Sequence, residues 1–228
     1  PGIFPSYEFV RALKRELEND NGTIFRYANH ENTVLRDIHG QLAISREPDR
    51  GELMKWIDSI TQFKLPGAGQ KEPKISGARN MVDMRRLVMD YHYDPETHGS
   101  NSIKYVLPAI IGSSEQLRQR YGAPLRRNGL HSQNCTPDWV WVRPDLENDP
   151  YAALPPVFEG QDQAALSDYV RGLDELDDGG TATIAYAKLQ YCDLPDSERE
   201  AIRSALLRYC ELDTLAMVML YEYWQMNL

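Results

Sequence analysis

From the helix-start signal Pro195-Asp196-Ser197 to Trp224, apolar residues recur at steps of three and four, and no other stretch of the chain constrains the fold so strongly. Ile202, Leu206, Tyr209, Asp213, Met217, Leu220 and Trp224 share one face of the helix that this spacing predicts. One member of that stripe is a carboxylate. The pattern therefore predicts that Asp213 points at the core, where an ionised acid without a partner is strongly disfavoured. Such a group is expected to be hydrogen-bonded, ion-paired, protonated or bound to a metal. Tyr209 precedes it by one turn, so a phenol and an acid can face one site together. Pairing with an arginine, or capping by backbone, is the purely structural alternative.

The rest of the chain reads as helices around few strands. An amphipathic helix is expected over 6–18, with Phe9, Val10, Leu13 and Leu17 on one side and Arg11, Lys14, Arg15 and Glu18 on the other. Residues 23–27 are β-branched and aromatic after a glycine turn and predict a strand. Helices are expected over 32–42 and 51–63, the latter ending at a Pro-Gly loop over 66–69. Further helices are expected over 102–111 despite Pro108, over 114–121 capped by Ser113 or Ser114, and over 162–173 and 180–191. The segment 122–160 holds six of the fourteen prolines and two tryptophans, Trp139 and Trp141, and reads as an irregular insertion. The length of 228 residues suits one domain with that insertion.

A net charge of -9 argues against a protein that coats nucleic acid by electrostatics alone. It leaves room for a nuclease, whose carboxylate site is negative until cations bind. The basic groups Arg11, Lys14 and Arg15, Arg85 and Arg86, and the run from Arg118 to Arg127 read as solvated faces. Cys135, Cys192 and Cys210 are odd in number and scattered, which indicates neither a disulfide frame nor a zinc ribbon. With no long apolar run and no signal peptide, a cytoplasmic protein without a membrane partner is expected.

Glu31 stands where the first strand gives way to a helix, a place where a carboxylate can meet a metal at an open sheet edge. It is equally at home there as a helix N-terminal acid. Asp83 has the same ambiguity, between an acid of the site and the cap of the helix through Leu87. Lys104 is a candidate phosphate contact or a snorkelling helix lysine. His131 and Cys135 offer two zinc-type ligands with no second pair nearby. No serine or cysteine nucleophile motif and no glycine-rich phosphate loop occurs.

Four stretches together span nearly the whole chain: Ile24-Phe25-Arg26-Tyr27-Ala28-Asn29-His30-Glu31-Asn32-Thr33-Val34-Leu35, Gly99-Ser100-Asn101-Ser102-Ile103-Lys104-Tyr105-Val106-Leu107-Pro108, Asp178-Gly179-Gly180-Thr181-Ala182, and Tyr209-Cys210-Glu211-Leu212-Asp213-Thr214-Leu215-Ala216-Met217. Their order resembles the second and third motifs of DEDD-type 3′-5′ exonucleases with tyrosine in the third motif, and more closely the bacterial domain-of-unknown-function 2779 family. The resemblance implies a helix-rich α/β fold of the ribonuclease H-like kind, shortened at its N-terminal strands. It implies a metal-dependent nuclease acting on DNA or RNA, with Mg2+ or Mn2+ held by Glu31 and Asp213 and with Tyr209 orienting or deprotonating the attacking water. Lys104 would touch substrate. The first motif, an Asp-x-Glu on an opening strand, is absent, and neither Asp145-Leu146-Glu147 nor Asp196-Ser197-Glu198 replaces it convincingly. The expectation is that a segment upstream of Pro1 supplies it and that this fragment alone is inactive. The alternative is an inactive ribonuclease H-like interaction module that uses Trp139 and Trp141 as a protein-binding surface.

Overall fold

The computed structural model describes residues 4–64, 74–160, 166–170, 173, 176 and 179–227. The Pro-Gly loop over 66–69, half of the helix expected over 162–173 and most of the acidic loop after it lie outside them; residues 166–170, which are described, form a bend and a turn in place of the expected helix. The chain is helix-rich with little sheet, and it divides into two compact units, Pro1–Tyr93 and Asp94–Leu228.

The first unit opens with α1 (Ser6–Leu17), β1 (Phe25–Arg26), α2 (His30–Ile44) and α3 (Arg50–Ile60). Its core forms where Val10 of α1, Leu35, Ile38 and Leu42 of α2, and Leu53, Trp56, Ile57 and Ile60 of α3 interlock. These are the three- and four-residue spacings that the helical pattern demands. Arg11 ties α1 to the turn between α2 and α3, with Nε 2.7 Å from Asp49 Oδ2 and a further contact to Glu47. Lys14 pairs with Glu18 and Glu52 at 2.5 and 2.9 Å. This basic cluster is thus neutralised by acids of its own unit.

The strands differ from expectation. The first shrinks to Phe25–Arg26, and three short partners appear: β2 (Gln62–Phe63), β3 (Ile75–Ser76) and β4 (Val82–Asp83). β1 pairs in parallel with β4, and β2 pairs antiparallel with β3. α3 stops at Ile60, before the expected 63, because Gln62 is taken into β2 by a side chain. Asn32, buried in the first turn of α2, donates to Gln62 O at 3.0 Å and accepts from Gln62 N at 2.7 Å. Its amide takes the place of a neighbouring strand. After β3 the chain returns across the end of α3, where Gly77 N donates to Thr61 O and Arg79 N to Ser59 O. A Cβ on Gly77 would stand 2.1 Å from Asp58 O, so only glycine permits this approach.

α4 (Met84–Tyr91) closes the first unit and is capped by Asp83, which accepts from Arg86 N. The second unit contains α5 (Ile103–Ser113), α6 (Glu115–Tyr121), α7 (Leu125–Asn128), α8 (Gly179–Tyr191) and α9 (Asp196–Asn227). Ser114 caps α6 as its sequence position suggests, accepting from Leu117 N. Segment 122–160 is irregular apart from α7 and one 3-10 turn at Pro144–Leu146.

α9 runs for 32 residues, from the expected start. Its buried face differs from the expected stripe: Glu198, Ile202, Ala205, Tyr209, Leu212, Ala216, Met219 and Leu220 are buried. The step is close to the ~3.5-residue repeat of helices packed lengthwise, as α9 packs on α8 and α5. Leu212 takes the inward position, and Asp213 turns to the flank of the stripe, half-buried. Among the described residues no helix is long and apolar enough to cross a membrane.

Candidate functional site

In the second unit, three segments distant in sequence bring polar groups to Asp213. The hydroxyl of Tyr151, from the irregular segment, donates to Asp213 Oδ1 at 2.7 Å across 62 positions. The ring of Tyr151 lies 6.2 Å from that of Tyr209, tilted by 55°. Lys104, from the first turn of α5, sets its ammonium 4.7 Å from the Tyr151 ring centroid and 5.0 Å from that of Tyr209. At these distances the cation is attracted by both ring faces. Half-buried Lys104 thus lies over aromatic rings, and its charge acts on Asp213.

The electrostatics follow from burial. Desolvation raises the pKa of Asp213, while the Tyr151 hydrogen bond and the Lys104 charge act the other way. Asp149 is raised for the same first reason, against hydrogen bonds from the backbone of Tyr151 and Ala152 and the charge of Lys104. The Tyr151 phenol is driven up by burial and by Asp213, so it stays a hydrogen-bond donor. Two acids thus share one lysine in surroundings that disfavour their ionised forms. Tyr151 also lines a cavity of about 200 Å³ with Leu154, Ala205 and Arg208.

Tyr209 is only 4% exposed and belongs to the core in which α8 and α9 meet Val157, Phe158, Leu166, Val170, Leu173 and Leu176. Glu198, one of the acids weighed as a first-motif substitute, is buried at the start of α9. Both of its oxygens are occupied, by Ser167 N at 2.7 Å and Ser167 Oγ at 2.6 Å. It clasps a turn. Among the described residues no arginine pairs with Asp213, the alternative role; a phenol donates to it and a lysine charge acts on it.

In the first unit, Glu31 sits in the first turn of α2, just beyond the end of β1. Its Oε2 is buried and has no hydrogen-bond partner. Asp83, on the paired strand, is fully engaged: one oxygen accepts from Ala28 N at 3.0 Å and Arg86 N at 3.3 Å, and the other lies 3.7 Å from Arg26 Nη2. It acts as a clasp and helix cap, not as a free acid of a site. Ala28, between strand and helix, takes φ 72°, a left-handed conformation that a residue with a Cβ adopts only at a cost. The Asp83 bond holds that turn, and with it the place of Glu31. Arg26, 5% exposed, donates to Asn29 Oδ1 at 2.9 Å.

Among the described residues no group of three or more His, Cys, Asp or Glu side chains gathers at one point. His131 and Cys135 therefore form no larger ligand set, and burial raises the Cys135 thiol. The thiol of Cys210, an exposed residue, is raised likewise, by desolvation first and then by Asp213. Trp141 is 1% exposed, which corrects its expected place on a binding surface; it packs edge-on against Trp139 at 5.6 Å. Sequence reasoning passed over Asp149 and Tyr151. They lie in a stretch without periodicity, and Asp149-Pro150-Tyr151 carries no spacing that points to α9. Comparison of the chain with protein-family models, curated proteins and solved structures returns no match.

Proposed function

We propose that this chain belongs to a metal-dependent nuclease of ribonuclease H-like fold that hydrolyses phosphodiester bonds in DNA or RNA, in the manner of 3′-5′ exonucleases. The observation that carries the reading is Asp213. It is a half-buried carboxylate in a setting that raises its pKa, held by one phenol and facing one lysine charge. A carboxylate kept where its charge is disfavoured gains most from a cation. Oxygen-only donors suit Mg2+ or Mn2+.

Glu31 fits the same group, because its buried Oε2 lacks any hydrogen-bond partner and is an oxygen donor of the same kind. Glu31 and Asp213 are the residues proposed as metal ligands. When bound, the metal would supply positive charge to activate water and to stabilise the leaving oxygen. Tyr209, one turn before Asp213, would orient the attacking water through its hydroxyl. Lys104 would place its ammonium on a substrate phosphate, a role in keeping with its position over the two tyrosine rings. The order of the motifs along the chain supports the same assignment.

Calorimetric titration of Mn2+ into the full-length protein tests the reading on the wild type, Glu31→Gln and Asp213→Asn, each substitution measured separately. The expected result is binding by the wild type and at least tenfold weaker binding by each variant. Binding unchanged in one variant removes that residue from the site. A wild type that binds no Mn2+ favours a non-catalytic interaction module.

A further inference from the structure

We infer that the cavity between the turn Tyr151–Leu154 and α9 is a binding site for a small organic monoanion, a carboxylate on an apolar or aromatic body, whose charge is met by Arg208. The inference goes beyond the metal reading of Asp213 and does not depend on it. The cavity, of about 200 Å³, lies within the second unit, and its lining includes Tyr151, Leu154, Pro155, Leu176, Ala205 and Arg208.

Two ordered elements frame it. Leu154 N donates to Tyr151 O at 3.1 Å, which closes the turn on one side. On the other side Ala205 and Arg208 stand three residues apart on one face of α9. Ala205 is 7% exposed and ends at a methyl group, so space remains where a longer side chain would fill it. Leu154, Pro155 and Leu176 supply apolar walls. The Tyr151 hydroxyl is taken by Asp213 at 2.7 Å, so the cavity meets the ring of Tyr151 and not a free donor.

Arg208 is the charged group of this lining. It is half-buried, and its Nε donates to Ser204 O of its own helix at 3.3 Å. Among the described residues no carboxylate pairs with it, although the chain carries 34 acids against 25 lysines and arginines. Arg118, Arg120 and Arg143 of the same unit each have an acidic partner. The terminal nitrogens of Arg208 are thus left for a ligand, and a guanidinium fork matches a carboxylate through two parallel hydrogen bonds. The size sets the scale of the occupant, since the cavity falls short of the ~300–1,000 Å³ of sites for drug-sized molecules. Charge sets its class. Asp213 and Asp149 are both bonded to Tyr151, and two acids so close to the wall repel a dianion more than a monoanion.

The rival account is a solvated arginine beside an apolar dimple, and the two accounts differ on charge-dependent binding. Benzoate is titrated into the isotope-labelled full-length protein and followed by NMR, for wild type and Arg208→Gln, with circular dichroism to confirm folding. Amide shifts centred on Ala152 and Ala205 are expected, with affinity about 10–100-fold lower in Arg208→Gln, the range for loss of a charged hydrogen bond. A wild type without shifts at millimolar benzoate, shifts centred elsewhere, or equal affinity in the two proteins overturns the inference. For an Arg208→Gln that does not fold, the wild type alone decides. Benzyl alcohol keeps the ring without the charge, phenyl phosphate carries a nearly double charge, and both are expected to bind more weakly than benzoate. Benzyl alcohol that binds as tightly as benzoate removes the role of Arg208, and phenyl phosphate that binds more tightly overturns the monoanion. None of these outcomes bears on the proposed metal ligands, so the two readings stand or fall separately.

Discussion

Asp213 shows how much a rotation of one residue on a helix matters. A stripe read straight through it would bury it, whereas the structure turns Leu212 inward and leaves Asp213 on the flank, half-buried and deep enough to feel desolvation. The pH consequence has a definite sign. Burial raises the folded pKa of Asp213 above its ordinary 3.8, so the folded state binds more protons than the unfolded one between those two values. Stability without metal therefore falls as pH rises through that window, and the penalty is complete above the folded pKa. Asp149 shifts in the same direction and adds to it. Asp213→Asn keeps an oxygen for the Tyr151 hydroxyl and removes the charge. In EDTA it is expected to melt above the wild type at neutral pH, with the difference vanishing below about pH 4, where the unfolded carboxyl is also protonated. A variant that melts lower at neutral pH, where no cation is present to compensate, would contradict the account of a strained acid kept for function.

At the scale of elements, legibility followed periodicity. α1 and α9 could be read directly, and Ser114 and Asp83 stood among the candidate caps, because helical spacing and capping chemistry act over a few residues. The strands could not. β2, β3 and β4 are each two residues long, and such pieces carry no alternation to recognise. They exist because distant groups pair with them: Asn32 with Gln62, Ile24 with Val82, Thr61 with Gly77. The return of the chain over α3 at Gly77 is the least tolerant of these contacts. Gly77→Ala sets a Cβ against two backbone carbonyls that no side-chain rotation can relieve. A loss of about 1–3 kcal/mol, typical of overpacking, is expected in urea denaturation. A change within a few tenths of a kcal/mol would show that this approach is looser than drawn.

For the whole molecule, a net charge of -9 sets the terms for any polyanionic partner. Binding of a labelled single-stranded oligonucleotide, followed by fluorescence anisotropy, is expected in Mg2+ and not in EDTA, and is expected to be lost in Asp213→Asn. Equal binding in EDTA would place the contact on a basic surface instead. Residue order alone was sufficient for a helix-rich chain with few strands, for the reach of α9 and for a short set of acids, since each of these depends on neighbours within a turn or two. The partners of those acids came from elsewhere. Whether Asp213 faced the core or its flank depended on how α8 and α5 lie along α9, and the phenol that holds it arrives from 62 positions away through a turn with no repeating pattern. Contacts of that range are made by packing, which selects among faces and loops that local sequence leaves equivalent.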